Sequence, residues 1–530
     1  MGFKAYNLWR MDRIGMPVPQ AFVLGTRFCQ DYYRRSRKAP RGFQELLVSA
    51  MRQLEHATRL GFGSSRKPLV VSVRSGAPVS MPGMLDTVLD IGLCDATVPG
   101  LLRLTGNPRL VWDSYRRLVA SFAETVHGIP ANRFEAAVAA QIKEAEVPDA
   151  SDLDFQSLRT LTHHYLDLYE TEVGAPFPQQ PREQLEAAVI AVWASWETDK
   201  AIQYRRLNGL SDESGTAVTV QRMVYGNAGG TSGAGVGFTR DPASGEPALY
   251  LDFIFNAQGE DVVSGRRTAA DAGRLATAMP SVFDDVRKAA HRLEQEFRDM
   301  QEFEFTVQDG KLYLLQTRVG KRSPWAALRI AVDQVDEGLI DEEAGLARLQ
   351  PLDLDRIRRV RIAAAHAERV LGRGTPAATG VATGELALDS NRACEVAQAG
   401  RAAILVRDTT ATEDIAGIAA AAGILTAAGS RTSHAAVVAR QLNKPCVVGC
   451  GDLTVDLPRR RCALAGHWLN EGEIISLDGE SGNVFAGPVN VEMEEPVDAL
   501  ARVARWQAEM SVRSGQRPAA SNTSPRATPA

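Results

Sequence analysis

Two periodicities alternate along the 530-residue chain. Short apolar runs such as PLVVSVRS, Pro68 to Ser75, and TAVTVQRMVYG, Thr216 to Gly226, predict strands. Between them, apolar residues recur every three to four positions, as on one face of a helix. Residues 1–324 therefore read as a mixed α/β region, and from about Val98 to Lys200 the pattern is mostly helical. Amphipathic segments such as SYRRLVASFAETVHGI, broken by Pro and Gly, predict a helical insertion at about 98–200. A charged stretch at 325–373, Arg-rich toward its end (DLDRIRRVRIAAAHAERVLGR), has no clear strand signal and reads as a helical linker. GTPAATGVATGELAL opens a second, Gly/Ala-rich α/β region, smaller than the first, at 374–488. Residues 489–530 read as a tail, and its end after Gln516 has a composition that predicts disorder.

Composition narrows the classes. A hydrophobic content of 45%, a charged content of 23% and a net charge of -4 describe a soluble globular chain of two or three domains. There is no basic field for nucleic acid or anionic membranes. Six cysteines without C-x-x-C pairs predict neither a disulfide scaffold nor a zinc ribbon, and Cys446 and Cys450 read as buried thiols. Neither a signal peptide nor a membrane span is legible, so a cytoplasmic location is the expectation.

Candidate chemistry in the first region begins at YGNAGGTSGAGVGFTRDP, which packs Gly226, Gly229, Gly230, Gly233, Gly235 and Gly237 around Thr231 and Ser232. Glycines let backbone N–H groups approach phosphate oxygens, and the hydroxyls add donors; a flexible turn fits the same residues. The spacing matches neither a P-loop nor a dinucleotide fingerprint. EFEFTVQDGKLYLLQTRVGKR predicts a hairpin around Asp309-Gly310. A two-residue turn leaves the carboxylates on the face away from Gln316 and Arg318. A three-residue loop, Gln308 to Gly310, brings Glu302, Glu304, Gln316 and Arg318 onto one face, and is the expected form. Such oxygen donors suit magnesium on nucleotide phosphates, with Arg318 neutralising a phosphoryl group. The plain alternative is a hairpin whose polar face meets solvent. Arg74, at a strand end before a loop of small residues, suits phosphate or a surface ion pair equally. Lys4 in GFKAYNL carries less information, since a single lysine is more often solvated.

In the second region, GILTAAGSRTSHAAVVARQLNKPCVVG runs strand, loop, helix, with Thr432 or Ser433 as cap and the helix starting near His434. The positive end of the helix disfavours an imidazolium and welcomes a phosphoryl anion, and neutral imidazole is the nucleophilic form. Ala435 and Ala436 are expected to keep the approach open. A histidine that packs or faces solvent behind a capping serine is the bland reading. The density of small and hydroxyl residues, together with a phosphate-type site upstream, favours the reactive one.

These motifs together resemble pyruvate phosphate dikinase. The resemblance runs through VSVRSGAPVSMPGMLDTVLDIGL, GNPRLVWDSYRR, AIQYRRLNGL, GTAVTVQRMVYGN, SGAGVGFTRDPASGE, NAQGEDVVSG, FRDMQEFEFTVQDGKLYLLQTRVGKR and TSHAAVVAR, from about Met1 to Pro488. It implies an α/β (α+β) chain: an ATP-grasp domain with a helical insertion, then a smaller swivelling phosphohistidine domain. In that family the β,γ-pyrophosphoryl group of ATP goes to a histidine with release of AMP. Inorganic phosphate takes one phosphoryl to give pyrophosphate, and the phosphohistidine carries the other to pyruvate. The resemblance makes His434 the carrier. It places Lys4, Arg74, Glu302, Glu304, Gln316 and Arg318 around the ATP phosphates, with Glu304 and Gln316 holding Mg2+. Gln221, Met223 and Val224 fall near adenine, and Thr231, Ser232, Gly233 and Gly235 over the phosphates. The MPGMLDT wording is closer to the phosphate-using dikinase than to the water-using synthase.

Four departures accompany the resemblance. The family normally has a strand and a fuller Gly-Gly-Lys-Gly turn ahead of the lysine, which here is residue 4. The usual Gly-Gly-Met before Thr-Ser-His is Gly429, Ser430, Arg431, and Glu302 stands where aspartate is common. A C-terminal barrel of about 250 residues, which binds phosphoenolpyruvate and pyruvate, is expected to be missing, so pyruvate would be reached through a separate barrel protein. ATP and inorganic phosphate are the expected ligands, and self-association stays open. The alternative is a truncated, non-catalytic ATP-binding remnant or regulatory subunit. Transfer from His434 to another small molecule is a third reading.

Overall fold

Alternating Val and polar residues in VSVRSG and AVTVQR build the first sheet. In the computed structural model, which describes residues 2–79, 81, 84–264, 272–363, 370–410, 414–429, 431 and 433–513, the strands Ala21–Leu24, Ala217–Arg222, Val71–Gly76 and Thr87–Ile91 lie in that order. All three pairings are antiparallel, and the register sets Val73 opposite Val220 and Arg74 opposite Thr219. The chain divides into two compact units: Met1–Ala234 with Phe255–Gln258 and Glu304–Arg318, and Gly235–Ile254 with Gly259–Phe303 and Val319–Ala530.

In the first unit, helices run from Val98–Thr105 to Asp199–Leu207. The longest, Pro108–His127, starts where the Asn107 side chain accepts the N–H of Leu110 and Pro108 takes the first helical position. It stops at Gly128, whose φ of 71° is the left-handed conformation that glycine adopts without penalty. Its buried Leu110, Tyr115, Leu118 and Phe122 share one apolar core with Val73, Val88 and Val220 of the sheet.

The second unit carries an eight-stranded mixed sheet in the order Val370–Arg373, Asn483–Ala486, Ile474–Asp478, Val381–Ala387, Ala403–Arg407, Gly423–Thr426, Cys446–Val448, Thr375–Ala378. Val381–Ala387, Ala403–Arg407, Gly423–Thr426 and Cys446–Val448 pair in parallel through connecting helices Ser390–Gln398, Ile415–Ala420 and His434–Gln441. Continuous apolar runs such as AILV and CVV are what strands covered on both faces require. Cys446 and Cys450 are buried free thiols, and burial pushes them up to about 12 and about 11.

Two segments differ from the pattern-based expectation. The linker stretch holds helices Pro324–Asp336 and Glu342–Leu349, then the strand Arg359–Ile362, which pairs with Val491–Glu494 in a two-stranded sheet. RVRI alternates charge with apolar residues, a strand period masked by helix-favouring arginines, and Glu494 opposite Arg359 accepts from its Nε at 2.8 Å. The presumed tail contains the helix Val497–Arg513, whose Val503 and Trp506 are buried against Leu328 and Val332. The segment after Gln516 lies outside the described residues.

Candidate active site

A close backbone approach brings Lys4 to the first sheet. A Cβ on Gly2 would lie 1.8 Å from the carbonyl oxygen of Gly76, so only glycine fits there. Phe3 N–H donates to Ala77 O at 3.0 Å, which starts the helix Phe3–Arg13 at the end of the strand that carries Arg74. Asn7 Nδ2 donates to Thr317 O at 2.8 Å and ties the same helix to the hairpin. Arg74 Nη2 reaches Glu304 Oε2 at 3.2 Å, and Nη1 donates to Leu315 O at 3.4 Å. Burial pushes the Lys4 ammonium down to about 8; Arg74 and Arg318 push the same way and Glu304 opposes them. Lys4, Arg74, Glu304 and Arg318 thus form one electrostatic cluster. Gln316, on the strand Lys311–Val319, is buried. Glu302 stands two residues before Glu304 on Gln301–Gln308, half-buried.

The hairpin turn has two residues, not three. Asp309 and Gly310 have φ of 51° and 73°, both in the left-handed region, as a tight Asp-Gly turn demands. Strict alternation from such a turn would separate Glu304 from Arg318, yet both charges act on Lys4. Lys4 thus feels charges from both faces of the hairpin.

The glycine segment is tied to this turn. Tyr225 N–H donates to Gln308 Oε1 at 3.0 Å, Asp309 N–H to Ser232 Oγ at 2.9 Å and Gly310 N–H to Thr231 O at 2.9 Å. The buried Ser232 hydroxyl therefore serves the hairpin, whereas the Thr231 side chain is exposed. Gly233 and Gly235 lie in a buried strand, Gly233–Phe238, instead of an open loop. The open part sits earlier, at Gly229 and Gly230, where an added Cβ would meet nothing within 4 Å. Gln221 is buried, with its amide donating to Pro19 O at 3.1 Å, while Met223 packs half-buried against the core and Val224 is half-buried. Sequence reasoning passed over Asn7 and Gln308, which hold the cluster and the glycine segment in place. A lone amide in a helix and one beside a turn give no signal until their partners are known.

In the second unit, His434 is the first residue of the helix His434–Gln441, which follows the loop 427–433 after the carboxyl end of the strand Gly423–Thr426. Open α/β sheets present ligand-binding loops at that end. Its imidazole, with Ser430 and Thr432, lies outside the described part of the structure. Ser433 occupies the cap position with extended backbone, but its hydroxyl makes no capping bond. It is buried with no hydrogen-bond partner among the described residues. Ala435 and Ala436 face the core, 2% and 0% exposed; their small size lets the helix pack on the sheet and does not open an approach. Gly449 is needed here, since a Cβ would lie 2.7 Å from Gly429 O. Arg431, three residues before His434, lies over the Tyr250 ring at 4.5 Å.

Residues 38–277 match the family model described as pyruvate phosphate dikinase, AMP/ATP-binding domain, and residues 400–482 match that of the PEP-utilising enzyme, mobile domain. The chain is 42% identical over 509 residues to pyruvate, phosphate dikinase of Clostridium symbiosum, covering 96% of this chain and 58% of that protein. It is 41% identical over 521 residues to the Rhizobium meliloti protein of the same name, again 96% and 58%. Against pyruvate, phosphate dikinase 2 of Zea mays it is 42% identical over 489 residues, 92% and 55%. The chain spans somewhat over half the length of these curated relatives. Two matching domain models and similarity along nearly its whole length show that this chain carries an AMP/ATP-binding domain of the pyruvate phosphate dikinase type followed by a mobile domain of the PEP-utilising type.

Proposed function

We propose that this chain carries out the ATP-dependent half of a dikinase reaction, in which His434 takes a phosphoryl group from ATP and AMP is released. The observation that supports this most is the buried Lys4 ammonium lying in the field of Arg74, Arg318 and Glu304, with Arg74 Nη2 3.2 Å from Glu304 Oε2. Three cationic side chains in one region suit an anion of several charges, such as a polyphosphate. Magnesium, when bound, would supply charge neutralisation on the phosphates. Glu304 and Gln316 offer a carboxylate and an amide oxygen, a donor set suited to an ion that keeps most of its shell as water and phosphate.

The chain's own groups then act as follows. Lys4, Arg74 and Arg318 hold the β- and γ-phosphate oxygens, and the exposed backbone at Gly229 and Gly230 with Thr231 borders them. The neutral imidazole of His434 attacks the β-phosphorus; the bond from that phosphorus to the bridging oxygen breaks, and AMP leaves with the electron pair. Inorganic phosphate accepts the terminal phosphoryl, forming pyrophosphate and leaving one phosphoryl on nitrogen. Residues 1–324 act as the nucleotide part, 325–373 as linker and 374–488 as carrier. Pyruvate as final acceptor, reached through a barrel, and a cytoplasmic site of action belong to the same proposal. Among the described residues no helix is long and apolar enough to cross a membrane.

The test is incubation with ATP labelled in the β- and γ-positions, with and without inorganic phosphate, measuring AMP, pyrophosphate and acid-labile phosphate together. Label on the wild type and none on His434→Asn is expected. ATP binding without label or AMP formation would instead identify the non-catalytic ATP-binding reading.

A further inference from the structure

We propose that a cavity of about 440 Å³ in the second unit, bounded by Trp325, Leu352, Arg356, Arg358, Gly380 and Asn443, binds a small anion carried on an apolar ring, a phosphate or carboxylate headgroup. Its volume falls in the range of small-molecule sites. None of the groups assigned to phosphoryl transfer lines it, so the inference is independent of the proposed reaction.

Three walls make the site. The first is the start of the helix Pro324–Asp336, where the Ser323 hydroxyl accepts the N–H of Ala326 at 3.0 Å and Pro324 fills the first helical position. The positive end of the helix dipole therefore lies at the cavity. The second wall is the loop around Gly380, with Asn443 and Pro445 beside it. Gly380 has φ of 109°, and a Cβ there would lie 3.1 Å from Pro445 Cγ, so any larger residue would narrow this side. The third wall is the arginine-rich run before the strand Arg359–Ile362.

The run holds Asp353, Asp355 and four arginines, and the arginines differ in their partners. Arg359 lies over the Trp325 ring at 4.4 Å and contacts Glu494 at 2.8 Å and Glu480 at 3.6 Å. Arg361 uses the same two carboxylates, so two arginines answer two glutamates. Arg356 is matched by Asp353 at 3.1 Å, and among the described residues Asp353 is the only acidic one lining the cavity. Arg358 has neither an ion pair nor a hydrogen bond among the described residues, and it lines the cavity with its side chain exposed. An unmatched guanidinium and a helix N-terminus supply an anion site, while Leu352 and the prolines 324, 351 and 445 supply the apolar surface for the body that carries it.

The probe is 1-naphthyl phosphate, titrated calorimetrically into the full chain with a non-hydrolysable ATP analogue and magnesium present to occupy the nucleotide face. Saturable one-site binding is expected, with 1-naphthol at least about tenfold weaker because it lacks the charge, and with Arg358→Ala weakening the phosphate about tenfold. Arg358→Lys should restore part of that loss. Comparison with 1-naphthoate identifies the headgroup: tighter phosphate marks a phosphomonoester site and tighter carboxylate an organic-acid site. Affinity unchanged in Arg358→Ala, naphthol binding as tightly as the phosphate, or no saturable binding in the millimolar range would each overturn the assignment. Arg358 is exposed and outside the apolar core, so its variants fold.

Discussion

Lys4 is the residue on which the proposed nucleotide face turns. Its pKa in the folded chain is about 8 against 10.5 for a free side chain. Between those values the unfolded chain binds more protons than the folded one. The contribution of Lys4 to stability therefore rises with pH across that window, and below it the buried cation costs stability. Bound polyphosphate would return the ammonium to its charged form. Binding of an ATP analogue near pH 8 is thus expected to take up about half a proton, read as a dependence of calorimetric enthalpy on buffer ionisation enthalpy. Lys4→Met should abolish that uptake and weaken ATP about tenfold to a hundredfold, as expected for the loss of a charged hydrogen bond. It should not lower stability at pH 7. A variant that keeps both affinity and proton uptake would remove Lys4 from the site. The same residue shows how far sequence reading reached: GFKAYNL contains a lysine like any other, and its significance depends on Gly2 passing against Gly76 O.

At the scale of elements, the glycine segment separates structural from accessible positions. A Cβ on Gly226 would come within 2.1 Å of Ala257 O, a backbone atom that cannot swing away. Gly226→Ala is expected to cost about 1–3 kcal/mol, the usual range for overpacking, in a denaturant titration. Gly230 is open and needs no left-handed backbone. Gly230→Ala should leave the unfolding midpoint nearly unchanged and lower ATP affinity, and an unaltered affinity would move the phosphates elsewhere. The six-glycine motif signals close approach without saying what approaches; the structure divides it among a carbonyl contact, an open edge and a buried strand. The hairpin was legible from Asp309-Gly310, but its loop length was not. A two-residue Asp-Gly turn suffices because Lys4, on a different element, lies in the field of both Glu304 and Arg318.

For the molecule as a whole, an ion network in the second unit joins elements distant in sequence. Arg240 Nε contacts Glu294 Oε1 at 2.5 Å, Gln334 Nε2 donates to the same oxygen at 2.6 Å, and Arg348 donates to Gln334 Oε1 at 2.6 Å. Glu294 is 8% exposed, so Arg240→Met would strand a buried carboxylate. The expected loss is about 3–5 kcal/mol, measured by chemical denaturation. The double variant Arg240→Met, Glu294→Leu should recover much of it. Trp506, 3% exposed against the linker helices, is expected to cost about 3–5 kcal/mol when replaced by Ala, with faster amide exchange in Pro324–Asp336. Unchanged exchange there would show that the helix Val497–Arg513 does not support the linker. Neither contact was readable in advance, because a charged helix and an apolar position in an apparent tail acquire meaning only from a partner far along the chain.

By itself the sequence determined the alternation of strands and helices, the strand–loop–helix order around His434 and the set of residue types suited to phosphate chemistry. These follow from local periodicity, capping residues and side-chain donors, which act over a few positions. Only the tertiary structure decided that Lys4, Arg74, Glu304 and Arg318 share one field, that Ser232 is committed to a turn, that Ala435 and Ala436 are core and that RVRI is a strand. Those outcomes depend on packing and Coulomb interactions between residues tens to hundreds of positions apart, and no local pattern encodes such distances.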